Sequence, residues 1–169
     1  MNSHNKNIVC MGEAMAEFTR IEEQKGEALY IRGLGGDTSN CAISAARQGA
    51  YVAYLSSVGN DQFGNVAMDI WSKEGIDVSH ISINPGYPTG IYFIEPAPEG
   101  RNFTYYRKGS AASKMTLTND ARALLSGEVI LHLSAISQAI SATAKELSFD
   151  AIDLVKQNGG MLSYDTNLR

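Results

Sequence analysis

The feature that most constrains this chain is the way short apolar runs alternate with longer segments of helical period. Ile8-Val9-Cys10-Met11 is an apolar run stopped by Gly12, the pattern of a central parallel strand buried on both faces. Asn40 to Gln48 is rich in alanine and ends at Gly49, which reads as a helix with a glycine stop. Tyr51 to Val58 then reads as a strand, Asp61 to Glu74 as an amphipathic helix closed by Gly75, and Val78 to Ile83 as a short strand. The rhythm returns later with helix Thr118 to Leu125, strand Glu128 to Leu133, helix Thr143 to Gln157 and strand Met161 to Tyr164. The last helix puts Ala144, Leu147, Ile152, Leu154 and Val155 near one face. Strands and helices in alternation predict an α/β fold, a parallel sheet sandwiched by helices.

Two stretches break the rhythm. Ala16 to Arg20 and Ala28 to Arg32 read as strands joined by a polar loop. Thr89 to Glu95 and Asn102 to Arg107 read as a second pair, turned at Pro96-Ala97-Pro98-Glu99-Gly100. No helix separates the partners, so each pair is antiparallel. Together the hairpins, about 16–32 and 89–107, predict one small second sheet that covers the main domain.

Several function classes are excluded at this level. The 169 residues suffice for one domain with a real core, and 44% hydrophobic with 19% charged residues is a globular composition. A net charge of -4 and no basic stripe argue against nucleic acid or an anionic membrane as partner. No apolar run approaches the roughly 20 residues needed to span a bilayer. The polar start, Met1 to Asn7, lacks a signal-peptide core, so a cytoplasmic location is expected. Two widely spaced cysteines, Cys10 and Cys41, make no disulfide framework and read as reduced buried thiols. Three scattered histidines give no metal-ligand spacing.

Three stretches carry chemistry. Gly35-Gly36-Asp37 precedes the alanine-rich helix, with Asp37 or Thr38 expected as N-cap. Glycines there permit positive φ and close approach of a ligand, and the helix offers free N–H groups. Asn40 lies one turn in, able to bond a hydroxyl. The same residues also make a plain helix entry, and spacing does not decide between the two. A dinucleotide fingerprint fails, because Thr38 stands where the third glycine belongs. In the second stretch, Tyr105 and Arg107 alternate onto one strand face, with Tyr92 on the partner strand. A phenol beside a guanidinium suits a hydroxylated carboxylate, although β-forming residues alone also account for the pattern. In the third, Asp165, Asn167 and Arg169 follow an apolar strand, where ligands bind in open α/β sheets. The strand at 161–164 lacks its crossover helix, so the chain reads as cut.

Taken together, the motifs resemble those of the ribokinase (PfkB) family of carbohydrate kinases. The match rests on Gly12-Glu13, on Gly35-Gly36-Asp37-Thr38-Ser39-Asn40, and on Asp165-Thr166-Asn167-Leu168-Arg169, which is similar to D-P-N-x-R. Its most specific part is Val58-Gly59-Asn60-Asp61-Gln62-Phe63-Gly64, similar to V-G-x-D-x-F-G. Tyr105-Tyr106-Arg107-Lys108-Gly109-Ser110-Ala111-Ala112 resembles the 2-keto-3-deoxygluconate kinase branch most, with fructokinases next. The resemblance implies a ribokinase-like three-layer sandwich with a β lid, of which 1–169 is the N-terminal part. It implies ATP-dependent phosphorylation, with Mg2+, of a terminal hydroxyl on a sugar or sugar acid. It further implies that Gly35, Gly36 and Asn40 meet sugar hydroxyls and that Tyr92, Tyr105 and Arg107 descend from the lid. Arg107 would face a carboxylate, and Ile136 would line the pocket. Asn167 and Arg169 would lie at the substrate, Arg169 stabilising charge on the transferred phosphoryl. A homodimer through the lid is a further expectation. Thr166 replaces the usual proline, and Glu17 stands where many members have Asp, so no role is carried to it. The family's G-A-G-D motif, with its anion hole and general base, is not among these residues. The 169 residues alone are therefore expected to be inactive. A non-catalytic sugar-binding or dimerisation module is the contrasting reading.

Overall fold

Strand β1 (Asn7–Met11) is apolar from Ile8 onward because it lies at the centre of a sheet covered on both faces. In the computed structural model, which describes residues 7–24 and 26–168, β1 pairs in parallel with β4 (Val52–Gly59) on one side and β8 (Val129–Ser134) on the other. β5 (Ile81–Asn84) and β9 (Met161–Asp165) complete a five-stranded, all-parallel sheet in the order β5-β4-β1-β8-β9. The short strand expected at 78–83 starts later, since the Asp77-Val78 segment is tied to β4 by Tyr54 N–H bonding Asp77 O at 3.0 Å.

Alternate residues of β1 feed two cores. Val9 and Met11 join Leu131, Leu133, Leu125, Ala151 and Val155 beneath α3 (Asn119–Leu125) and α5 (Ala142–Gln157). Cys10 joins Tyr54, Val58, Ala42, Ala67 and Trp71 beneath α1 (Asp37–Arg47) and α2 (Gln62–Lys73). Each fully buried Leu or Val side chain contributes roughly 1.5–3 kcal/mol. On α5 the buried row is Ala144, Leu147, Ala151 and Val155; Ile152 and Leu154, expected on it, pack only partly against it. The second core also holds polar groups, all satisfied: Trp71 Nε1 donates to Ser39 Oγ at 2.9 Å, and Thr38 Oγ1 and the Tyr54 hydroxyl lie 3.0 Å apart.

The helix boundaries follow their caps. Asp61 caps α2, accepting from Phe63 N–H and Gly64 N–H, and also takes the Thr89 N–H. Thr118 caps α3 and Ser141 caps α5. Helix α1 differs from expectation. Its N-cap is Gly36, with no side-chain cap, and Asp37 is the first helical residue, its Oδ1 accepting from Thr38 N–H. A 3-10 turn at Ala111–Lys114 and the short α4 (Ala135–Ala139) were not foreseen from sequence.

The interrupting hairpins are β2 (Met15–Gln24) with β3 (Glu27–Gly35), and β6 (Ile91–Ala97) with β7 (Gly100–Tyr106). Each pairs antiparallel, and β2 and β6 join them in parallel into one four-stranded sheet, β3-β2-β6-β7. Phe18 stacks on Phe93 across that seam and meets Phe63 of α2 edge-on, fixing the second sheet on the main domain. Among the described residues no helix is long and apolar enough to cross a membrane.

Candidate functional site

The main sheet grows from β1 outward through β4 to β5, then crosses back and grows through β8 to β9. The strand order therefore reverses between β1 and β8, and the crevice outside their carboxyl ends is where an open α/β sheet receives a ligand. A cleft of about 140 Å³ lies there, lined by Glu13, Met15, Gly36, Asp37, Asn40, Tyr92, Phe103, Tyr105, Arg107 and Ile136. A second hollow, lined by Arg107, Lys108, Ile136, Ala139 and Ile140, shares the Arg107 and Ile136 wall.

The glycine turn forms one wall because its backbone must pass close to others. Gly36 has φ 131°, and a Cβ there would come within 2.6 Å of the Glu13 carbonyl oxygen. This contact brings the end of β1 against the start of α1, with Asn40 one turn further along. Gly35 has a different task from the one expected. It does not line the cleft; a Cβ on it would collide with the Tyr92 hydroxyl and ring. Gly35 thus leaves room for Tyr92 to lie over the end of β3.

Tyr92 is held from two sides. Its hydroxyl donates to Glu17 Oε2, and Thr19 Oγ1 donates to Glu17 Oε1 at 3.0 Å. Burial and the Glu17 carboxylate both push the Tyr92 phenol above its usual range, so it stays a donor. Its ring stacks on Tyr105, its partner in the β6–β7 register, at 5.5 Å between centroids, and Phe103 extends the shelf. The cleft therefore meets an aromatic face, with the phenol of Tyr92 engaged behind it.

Arg107 follows directly on β7, with its guanidinium carbon 6.0 Å from the Tyr105 ring centre. Its Nη2 lies 2.5 Å from Glu13 Oε2, and Ser110 Oγ donates to Glu13 Oε1 at 2.5 Å. The Glu13 side chain is 1% exposed, so this ion pair is largely desolvated. Burial raises the Glu13 pKa, and neighbouring Asp37 adds to it; Arg107 and Ser110 pull the other way without cancelling it. Arg107 Nε and Nη2 have no aligned hydrogen-bond acceptor among the described residues. Both atoms are buried, Nη2 against Glu13, and Arg107 lines the cleft with its charge engaged by that carboxylate.

Asp37 ties three segments at the edge of the site. Ser134 Oγ at the end of β8 donates to its Oδ2, and Asn167 Nδ2 does so at 3.3 Å. Asn167 takes a positive φ of 47°, with its N–H bonded to Asp165 Oδ1 at 2.8 Å. Of the residues singled out from sequence, the structure brings Gly36, Asn40, Tyr92, Tyr105, Arg107 and Ile136 into one cleft. Gly35 and Asn167 stand behind it as supports, and Arg169 lies outside the described residues. Glu13 and Asp37 gain roles that sequence reading did not assign. The available signal for Glu13 was a lone acid within Gly12-Glu13-Ala14-Met15-Ala16, directly after a buried strand. No group of three or more His, Cys, Asp or Glu among the described residues could hold a metal ion.

Comparison with known proteins fits this geometry to a family. The model for pfkB family carbohydrate kinases matches residues 5–169. The chain belongs to that family. Among its relatives, the 2-dehydro-3-deoxygluconokinase of Bacillus subtilis is 36% identical over 168 residues, covering 96% of this chain and 52% of that protein. The 2-dehydro-3-deoxygluconokinase of Thermoproteus tenax is 30% identical, with 96% and 50% covered. Among solved structures, the PfkB protein from Polaromonas sp. JS666 superposes with a TM-score of 0.86 at 32% identity, covering 97% of this chain and 56% of that one. The chain spans about half the length of the curated relatives it matches.

Proposed function

We propose that these residues form the sugar-binding half of a kinase that transfers phosphoryl from ATP to a terminal hydroxyl of 2-keto-3-deoxygluconate. The observation that carries this reading is the pairing of opposite walls in one cleft. On one wall, Gly36 and Asn40 present backbone and amide groups that suit hydroxyls; on the other, Arg107 sets a guanidinium beside an aromatic shelf, backed by Glu13. A sugar acid brings a second carboxylate to that guanidinium beside Glu13, and a neutral hexose does not. Asn167 holds Asp37 at the cleft edge; to Arg169, which lies outside the described residues, the family resemblance gives the task of stabilising charge on the transferred phosphoryl. The G-A-G-D motif and the adenine site, by family resemblance, belong to the other half, together with the Mg2+ that accompanies ATP. These 169 residues are accordingly one part of a kinase domain and do not turn over substrate unaided.

The lid also supplies a surface for a second copy. Its Ile31 is 58% exposed and Tyr106 63% exposed, on a sheet whose outer strands present free edges. We read this as a homodimer contact, which sedimentation of the protein from its full reading frame would show as twice the monomer mass.

The activity is tested by a coupled ATP assay on the protein from its full reading frame, with 2-keto-3-deoxygluconate and fructose side by side. Turnover with the sugar acid in preference to fructose supports the reading. Preference for fructose would reassign the substrate, and turnover by the 169 residues alone would refute the division of labour.

A further inference from the structure

The chain passes four times between the main sheet and the lid sheet. The connections are 12–14 between β1 and β2, Gly36 between β3 and α1, 85–90 between β5 and β6, and 107–110 between β7 and the 3-10 turn. All four meet at Glu13. Glu13 itself belongs to the first. Its carbonyl oxygen faces Gly36 in the second, where a Cβ would come within 2.6 Å of it. Its Oε1 faces Gly90 in the third, where a Cβ would stand 2.9 Å away and only 3.0 Å from Met15 Cγ. In the fourth, Arg107 Nη2 lies 2.5 Å from Oε2, and Ser110 Oγ donates to Oε1 at 2.5 Å.

We propose that Glu13 is a positioning residue: it seats the lid on the main sheet and thereby sets Arg107 and the aromatic shelf against the Gly36 and Asn40 wall.

The side chain suits that task. It is 1% exposed, so its oxygens are committed to protein partners. A carboxylate offers two acceptor oxygens, and here each serves a different partner, one the Ser110 hydroxyl and the other the Arg107 cation. Backbone bonds support the same arrangement in pairs. Ala16 N–H, at the start of β2, donates to Gly90 O at 3.0 Å, and Ala111 N–H donates to Pro88 O at 2.8 Å. Glu13 reaches all four connections. Its effect on substrate passes through Arg107, the group that it holds at the cleft. On that point the inference rests on the sugar-acid reading above; the seating of the lid does not.

The test uses two variants of the protein from its full reading frame. Glu13→Gln keeps the length and shape of the side chain and removes its charge. Ser110→Ala removes one anchor, leaves the charge, and decides the exchange arm if Glu13→Gln folds poorly. Amide hydrogen exchange reads the seating with no substrate present. Exchange at Ala16 and Ala111 should quicken about 10-fold or more in Glu13→Gln, and less in Ser110→Ala, while β1 and β8 stay within about threefold of the parent. Kinetics read the positioning. With 2-keto-3-deoxygluconate, Glu13→Gln should lower kcat/KM about 10-fold in the parent, mainly through KM, and by less than about threefold in the Arg107→Ala background. Faster exchange spread evenly over the connections and the central strands, unchanged exchange at Ala16 and Ala111, equal falls in both backgrounds, or a gain in kcat/KM from Glu13→Gln would each overturn the proposal. A preference for fructose would instead overturn the substrate reading, and the exchange arm would still decide the role of Glu13.

Discussion

Replacing Arg107 by alanine should destabilise the fold in a way that depends on pH, and the structure sets both sign and size. The change removes the cation paired with Glu13 among the described residues; the Glu13 side chain is 1% exposed and is also anchored by the Ser110 hydroxyl. Breaking a buried pair by removing one partner typically costs about 3–5 kcal/mol. Glu13 has an escape, which is to take up a proton. Its pKa in the fold already exceeds the ordinary 4.5, with burial the largest cause, and losing Arg107 raises it further. A carboxyl whose pKa is raised by folding favours the folded state below the unfolded pKa and loses that advantage as pH rises toward the folded pKa. The penalty of Arg107→Ala should thus be smallest near pH 5 and grow by at most about 1.4 kcal/mol per pH unit above it. Between pH 5 and pH 8 the gap to the parent should widen, by no more than ~4 kcal/mol. Urea unfolding of parent, Arg107→Ala, and Glu13→Gln with Arg107→Ala at both pH values measures it. The double variant should be more stable than Arg107→Ala at pH 8 and show little pH dependence of its own penalty. A penalty equal at pH 5 and pH 8, or no rescue by Glu13→Gln, would refute a charged Glu13–Arg107 pair.

Two further perturbations probe the supports of the cleft. Gly35→Ala pushes a methyl into the Tyr92 hydroxyl and ring, and should cost about 1–3 kcal/mol by overpacking; Gly33→Ala, whose Cβ would meet Glu17 Oε1 only at 3.5 Å, is the near-neutral control in the same thermal melt. Asp61→Ala removes the cap of α2 and the Thr89 bond together, and should cost ~2 kcal/mol at pH 7. Partial burial pushes the Asp61 carboxyl up, but the N–H donors of Thr89, Gly64 and Phe63 outweigh it and hold the pKa below 3.8. That contribution is therefore present above the unfolded pKa and fades as pH falls below it, so the two proteins should converge in urea midpoint at strongly acid pH.

The sheet and its helices were legible because burial imposes a period. β1 and β8 are apolar runs since both faces are covered, and α5 shows its stripe since one face is. What escaped sequence reading was set by contacts between distant segments. The N-cap of α1 is Gly36 because the chain must turn at a positive φ against the Glu13 carbonyl, which no local pattern announces. Helix α4 is five residues long and its N-cap, Ser134, makes no side-chain cap bond, so it carries too few positions to show a period. That the two hairpins form one sheet was legible; that β2 and β6 make its parallel seam was not, because that choice depends on the core beneath them. At the site, the residue types that suit a ligand stood out in Gly36, Asn40, Tyr105 and Arg107. Glu13 did not, because its meaning comes from Ser110, 97 residues away, and from Arg107 beside it.

The central claim is that the Arg107 wall of the cleft reads a carboxylate. It is tested most directly by kcat/KM with 2-keto-3-deoxygluconate and with fructose, for the parent and Arg107→Ala in the protein from its full reading frame at pH 6, where the stability penalty is moderate. Loss of one charge-assisted contact worth about 1.5–3 kcal/mol predicts a fall of roughly 10- to 100-fold for the sugar acid, mainly through KM. The change for fructose should stay within about threefold, a difference of under 1 kcal/mol. An equal fall for both substrates would contradict the account, because it would mean that Arg107 supports the cleft without reading the acid.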